Sequence, residues 1–71
     1  MEPDLKKIGL AIKIFRIKCG ISQTALAERL GLSQTHMNNV EHGKVMLGLK
    51  TLFKLRHIFG CALEDIIEPK F

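Results

Sequence analysis

The sequence of 71 residues contains no tryptophan and no tyrosine, and only two cysteines and two prolines. It has no uninterrupted apolar run of about 18 residues, as a membrane-spanning helix would need, and no basic segment leading into an apolar run, as a secretory signal would show. Two cysteines make a poor disulfide framework, so we expect a cytoplasmic protein with reduced thiols that does not act at a membrane. The length allows one small domain over residues 1–71, which excludes a multidomain enzyme.

Catalytic and metal-binding patterns are also missing. The sequence has no phosphate-binding loop, no paired carboxylates and no nucleophile beside a positioned base, and its histidines and cysteines lack the paired spacings of zinc modules. We therefore predict that the protein is not an enzyme, with no catalytic residues, and that it holds no metal and no cofactor. RNA recognition by stacking would need exposed aromatic rings. Phe15, Phe53 and Phe59 instead fall at core spacing.

Acidic residues are scarce in the middle of the chain. Residues 5–60 carry ten lysines and arginines against only Glu28 and Glu41, a net charge of +8, whereas residues 1–4 and 61–71 each carry a net −2. Such a field suits a polyanion, with nucleic acid as the first candidate and an acidic membrane surface as the second. A basic protein that is merely soluble is the alternative at this stage.

Apolar residues recur at spacings of three and four, without the alternation of strands, so the pattern predicts an all-α fold of five short helices. Capping residues and glycines set their ends. The first helix runs from an N-cap at Asp4 to about Cys19, and its inward face is predicted to carry Leu5, Ile8, Ile12, Phe15 and Cys19. The others span residues 23–30, 34–41, about 49–59 and 63–67, with Ser22 and Ser33 capping the second and third.

The second and third helices are joined by a short turn containing Gly31, which makes a helix-turn-helix. On the third helix Met37 and Val40 point to the core. The opposite face carries, within about 100°, Thr35, Asn38, Asn39 and His42. This face is uncharged and rich in amides, whereas a solvated helix surface usually mixes lysine and glutamate. Its composition favours hydrogen bonding to base edges.

At this point the sequence resembles the helix-turn-helix domain of phage repressor and Cro proteins, the XRE family. The resemblance rests on an ordered series of short matches at the family's spacing, and it covers nearly the whole chain. The matches are Ile8-Gly9, Ile12-Lys13, Phe15-Arg16, Gly20-Ile21-Ser22-Gln23, Leu26-Ala27, Gly31-Leu32-Ser33, Val40-Glu41, Gly43-Lys44, Leu49, Thr51-Leu52, Phe59-Gly60 and Leu63. The resemblance implies a lambda-repressor-like fold and a sequence-specific regulator of transcription that binds double-stranded DNA, such as a repressor or the controller protein of a restriction-modification system.

The resemblance also assigns roles to the helix-turn-helix. The recognition helix, residues 34–41, would enter the major groove. Its base-contacting residues would be Gln34, Thr35, Asn38 and Asn39, and the phosphate contacts would be Ser22, Gln23, His42 and Lys44. Gln23 is also expected to brace Gln34. Because no arginine or lysine lies on this helix, we predict that the directly read positions favour A·T pairs.

Arg16 and Glu41 resemble a family pair that joins the first helix to the end of the recognition helix. The following loop departs from the family. Where the family has basic residues, a proline and a serine or threonine cap, this chain has Val45, Met46, Leu47 and Gly48. The change predicts either weaker DNA binding per subunit or a partner that covers the three apolar residues.

The resemblance further implies a homodimer, since paired half-sites are read by two-fold dimers. The first candidate for the interface is the apolar set Leu55, Phe59, Leu63, Ile66 and Ile67. The second, for a dimer or for another protein, is a stripe on the first helix formed by Leu10, Ile14 and Ile17. Packing of the first helix against residues 69–71 is an alternative explanation of that stripe. The rival function is an antitoxin-type or other protein-interaction module with DNA binding secondary.

Overall fold

The computed structural model describes residues 4–71, which contain helices and no strand. The five helices are α1 (Leu5–Lys18), α2 (Gln23–Leu30), α3 (Gln34–Glu41), α4 (Leu49–Phe59) and α5 (Leu63–Ile67). These bounds confirm the all-α prediction. None of the helices in the described range is both long and apolar enough to span a membrane.

The first three helices begin at side chains that accept a hydrogen bond from an otherwise unpaired backbone N–H, as predicted. The bonds run from Lys7 N to Asp4 Oδ1 (3.2 Å), from Ala25 N to Ser22 Oγ (3.0 Å) and from His36 N to Ser33 Oγ (3.0 Å). α4 differs, because its first turn follows Gly48 and has no side-chain cap. α4 therefore lacks the side-chain cap that the first three helices have.

One apolar core joins all five helices. α3 packs on α1 and α2, α5 packs on α1 and α4, and α2 also contacts α4. The fully buried large side chains are Ile8, Ile12, Leu26, Met37, Leu55 and Ile66. At the edge of this core the ring of Phe15 stacks on that of Phe59, with centroids 5.4 Å apart. The core fixes α3 with Met37 and Val40 inward.

Backbone comes very close to backbone where α1 meets the end of α3. A Cβ atom built on Gly9 would lie 2.4 Å from the carbonyl oxygen of Val40 and 2.7 Å from that of Glu41. Just beyond α3, Gly43 has a φ of +73° and a Cβ there would lie 2.7 Å from the Cα of Lys6. Only glycine at both positions allows α1 to lie this close to the end of α3.

Two predictions about the core are wrong. Cys19 is exposed, although its N–H still donates to the carbonyl of Phe15 at 3.0 Å, because the last turn of α1 extends past the core and residues 17–20 are all exposed. Phe53 is 50% exposed, because the inward face of α4 is formed by Leu52 and Leu55, and Phe53 is turned away from both. The ring of Phe53, which the spacing predicts to be buried, is therefore exposed to solvent on α4.

Two of the predicted interface residues, Leu55 and Ile66, cannot contact a partner, because both are completely buried within this chain. The loop also differs from the expectation of three uncovered apolar residues. Leu47 is buried in the core, whereas Val45 and Met46 remain partly exposed. The chain itself covers one of the three.

Candidate nucleic-acid interface

The turn between α2 and α3 is fixed by hydrogen bonds. Gly31 ends α2 in the left-handed conformation, with φ +70°, and the N–H of Leu32 then donates to the carbonyl of Ala27 at 2.9 Å. Leu32 packs against the core, and Ser33 starts α3 immediately. A turn of three residues held at both ends sets the crossing of the two helices.

The outward face of α3 carries the residues that the sequence assigns to base contacts. Gln34, Thr35 and Asn38 are exposed, and Asn39 is half-buried. His42 follows the last turn, and its Nδ1 lies 2.8 Å from the carbonyl oxygen of Asn38. The structure thus brings the predicted base-contact residues together on one accessible surface, which carries no lysine, arginine or acidic side chain.

Arg16 and Glu41 form the predicted pair between α1 and the end of α3. Arg16 Nε lies 2.6 Å from Glu41 Oε2, and Nη2 donates to Oε1 at 3.2 Å. The remaining nitrogen, Nη1, donates to the carbonyl of Ile21 at 3.0 Å. The Glu41 side chain is only 2% exposed. A two-pronged, buried ion pair therefore ties three parts of the fold together.

Gln23 joins the same network at the first turn of α2. Its Nε2 donates to Glu41 Oε1 at 3.2 Å and to Asn38 Oδ1 at 3.4 Å. The expectation that Gln23 braces Gln34 is therefore wrong, because its amide group reaches the later turns of α3 instead. The side chain that it positions is Asn38.

The network has a consequence for Asn38 that the sequence did not reveal. Because Asn38 Oδ1 accepts from Gln23, the amide is oriented with its NH₂ group free of partners among residues 4–71. Sequence separation alone could not show this link, since it depends on the rotamers of side chains from two helices. The only signal was the scarcity of acids, which singled out Glu41 as the centre of a specific contact.

The predicted phosphate contacts lie at helix ends around this face. Ser22 is exposed, and its hydroxyl accepts from Ala25 N, which leaves its hydrogen available to donate. Lys44 is exposed, and its backbone N–H donates to the carbonyl of Asn39 at 2.9 Å. The amide group of Gln23, by contrast, already donates within the chain, to Asn38 at the surface and to the buried Glu41.

The described residues offer little for metal binding or nucleophilic catalysis. Among residues 4–71 no three histidine, cysteine or acidic side chains converge closely enough to hold a metal ion. Burial raises the pKa of the Cys61 thiol, and the charge of Asp65 raises it further. This favours the protonated thiol, which is a poor nucleophile.

Two capped helices joined by a short turn, with an amide-rich outward face on the second, define a helix-turn-helix DNA-binding domain. The family model for helix-turn-helix proteins, HTH_3, matches residues 12–66. The chain belongs to this helix-turn-helix family of transcriptional regulators.

Relatives with known names agree with this assignment. The ImmF control region 10 kDa protein of Bacillus phage phi105 is 36% identical over 61 residues, which cover 86% of this chain and 68% of that protein. The restriction-modification controller protein C.AhdI of Aeromonas hydrophila matches with a TM-score of 0.79 and 28% identity, over 89% of this chain and 96% of that one. The P22 c2 repressor, solved with a synthetic operator, matches with a TM-score of 0.80 over the same shares, and its 22% identity shows the common fold alone.

Proposed function

We propose that residues 1–71 form a single DNA-binding domain that reads operator DNA as a homodimer and acts as a repressor or controller protein. The observation that carries the proposal is the network from Arg16 through Glu41 and Gln23 to Asn38, which orients an amide on the accessible face of α3. An oriented side chain loses less conformational entropy on binding than a mobile one. As a DNA-binding regulator of this family, the protein would act in the cytoplasm.

Base recognition would come from Gln34, Thr35, Asn38 and Asn39. Asparagine and glutamine pair with adenine N6 and N7, and the threonine methyl packs on the thymine methyl. Asn38 presents its NH₂ group, which suits an acceptor such as a purine N7. With no arginine on α3, the commonest reader of guanine is missing.

Phosphate binding would involve Ser22, His42 and Lys44, and the backbone N–H groups at the start of α2. Because the amide hydrogens of Gln23 are engaged with Asn38 and Glu41, we assign Gln23 a positioning role and give its phosphate contact to its backbone N–H. The N-terminus of a helix favours an anion, since its first N–H groups lack partners.

For the homodimer we retain Phe59, Leu63 and Ile67, which are half-buried in this chain and can be covered further. Leu49 and Phe53 of α4 are exposed apolar residues, and they add to the apolar surface that a dimer partner could cover. A two-fold contact through α4 and α5 would leave α3 of each copy free for a half-site.

The proposal is tested by selecting binding sites from random duplex DNA and footprinting the protein on the selected sequences. We expect a two-fold site whose half-site centres lie about one helical turn, roughly 34 Å, apart, with A·T pairs at the directly read positions. Asn39→Ala should bind the selected site less specifically, as the loss of one base contact costs about 1–3 kcal/mol of discrimination. Recovery of G·C at each contacted position, or failure to protect any duplex, would refute it.

Lys44→Ala should weaken binding to every duplex, specific or random. Removing one phosphate contact should make the plot of log affinity against log salt shallower by about one unit. The matched control is Lys70→Ala, which removes the same charge from the C-terminal tail. If both variants change the slope equally, Lys44 contributes only general charge and makes no phosphate contact.

A second candidate function is an antitoxin-type or other protein-interaction module on the same fold. The observation that favours it is on α1, where Leu10 is 45% and Ile17 is 58% exposed. Co-purification with a second protein, combined with loss of that complex when these residues are made polar, would support this role.

A further inference from the structure

The outward face of α1 carries an apolar stripe that lies away from the DNA-recognition helix α3. Leu10, Ile14 and Ile17 lie within an arc of about 60° by the helical period, opposite the buried Ile8 and Ile12. Leu10 and Ile17 are exposed and Ile14 is half-buried. α3 packs against a different side of the helix, at Gly9. This stripe is therefore separate from the recognition face.

Lysines flank the stripe on both sides. Lys6 and Lys13 lie about 40–60° from Leu10 on the side towards α3, and Lys7 and Lys18 lie about 60–80° away on the side towards α5. All four lysines are exposed, and α1 contains no acidic residue.

Acidic groups of the chain itself do little to neutralise these lysines. Within residues 4–71 the single ion pair is that of Arg16 with Glu41. Besides Glu41, which is occupied by Arg16, Asp4 caps the first turn of α1, and Asp65 of α5 lines a small cleft with Lys18. The stripe thus stays apolar between two positive edges.

We propose that the outward face of α1 docks an acidic amphipathic helix of a partner protein. The spacing of four and then three residues is that of successive d, a and d positions in a two-helix seam, and Lys13 and Lys18 then occupy flanking g and e positions. Charges at those positions select a partner helix of opposite sign. This inference is independent of the DNA-reading role.

Other occupants fit less well. A second copy would bring the same lysines against each other across the seam, and like charges at an interface are unfavourable. A lipid surface suits an apolar face wider than this arc of about 60°, since amphipathic helices usually present 100° or more. Residues 69–71 lie beside Ile14 and leave Leu10 and Ile17 uncovered.

The test uses the whole chain, isotopically labelled, and a designed helical peptide of about three heptads with isoleucine at a, leucine at d and glutamate at e and g. The control peptide has the same seam with lysine in place of glutamate. We expect the acidic peptide to shift the amide resonances of α1 and the basic peptide to leave them unchanged. Repulsion between its own glutamates keeps the free acidic peptide from self-pairing at neutral pH.

Variants of the apolar stripe and of the flanking lysines separate the contribution of apolar contact from that of charge. Leu10→Ser with Ile17→Ser should weaken binding of the acidic peptide at least about tenfold, through lost apolar contact. Lys13→Glu with Lys18→Glu should reverse the preference, so that the basic peptide binds. The matched control, Lys50→Glu with Lys54→Glu on α4, should bind the acidic peptide as the parent does. Circular dichroism of both α1 variants should resemble that of the parent. Duplex DNA binding of the serine variant should match the parent, and that of Lys13→Glu with Lys18→Glu should match Lys50→Glu with Lys54→Glu, which changes the net charge equally.

Several results would overturn the proposal. Acidic-peptide shifts outside α1, or affinity unchanged by the serine substitutions, would mean unspecific attraction to a basic protein. Binding to phosphatidylserine vesicles that depends on Ile17 would identify a lipid surface instead. Self-association that is lost in Ile17→Ser would identify a second copy. Loss of duplex binding in a folded α1 variant, beyond the loss seen in Lys50→Glu with Lys54→Glu, would assign this face to DNA.

Discussion

Replacing Glu41 by alanine is expected to lower the free energy of unfolding by about 3–5 kcal/mol. The substitution leaves the guanidinium of Arg16, whose side chain is 12% exposed, without its carboxylate partner. It also removes the acceptor of the 3.2 Å bond from Gln23. A domain of this size has a total stability of roughly 4–11 kcal/mol, so the loss is a large share of it. Urea denaturation followed by circular dichroism measures the change.

Glu28→Ala is the matched control, because Glu28 is the other acid of the basic segment and is exposed. It should change stability by about 0.5 kcal/mol or less. Arg16→Met combined with Glu41→Leu should recover part of the loss, since no uncompensated charge then remains buried. A Glu41→Ala protein that unfolds at the same urea concentration as the parent would show that the ion pair does not stabilise the fold.

Gly9→Ala is expected to have the second large effect. It should lower the free energy of unfolding, whereas alanine in place of glycine inside a helix usually raises it. Alanine inside a helix is normally better than glycine by about 0.5–1 kcal/mol. Here its Cβ would lie 2.4 Å from a backbone carbonyl oxygen of α3, so α1 must move away. We expect a net destabilisation of about 1–3 kcal/mol, typical of overpacking, measured by thermal or urea denaturation.

The control for this variant is Gly48→Ala, at a glycine with negative φ and open space around it. It should change stability by about 1 kcal/mol or less, the range of an N-cap replacement. Since Gly9 also faces Glu41, its replacement should weaken DNA binding through the network as well. Equal or higher stability of Gly9→Ala would contradict the close contact of α1 with the end of α3.

The helix boundaries could be predicted because their signals are local. Asp4, Ser22 and Ser33 each accept the bond that a cap requires, and Gly31 takes the left-handed conformation that ends α2. The Arg16–Glu41 pair was predicted through the family resemblance, since composition showed only that Glu41 was unusual. The base-contact and phosphate-contact roles stay predictions, although the structure groups the residues on one accessible face.

What could not be predicted depends on tertiary packing. α4 has apolar residues around most of its circumference, so periodicity could not decide that Phe53 faces solvent while Leu55 is buried. The burial of Leu47 depends on how a loop without regular spacing folds back onto the core. The bonds of Gln23 depend on side-chain rotamers at the crossing of two helices.

The loop after α3 has a consequence for the thermodynamics of binding. Lys44 follows Gly43, whose backbone lies against α1, and precedes by three residues Leu47, which is anchored in the core. Its own backbone N–H is bonded to Asn39. Much of the conformational entropy of this segment is therefore lost when the protein folds, and little remains to be lost on binding DNA. Residues 45–48 supply no basic side chain for phosphate binding, and this rigidity would recover part of the affinity that such charges provide.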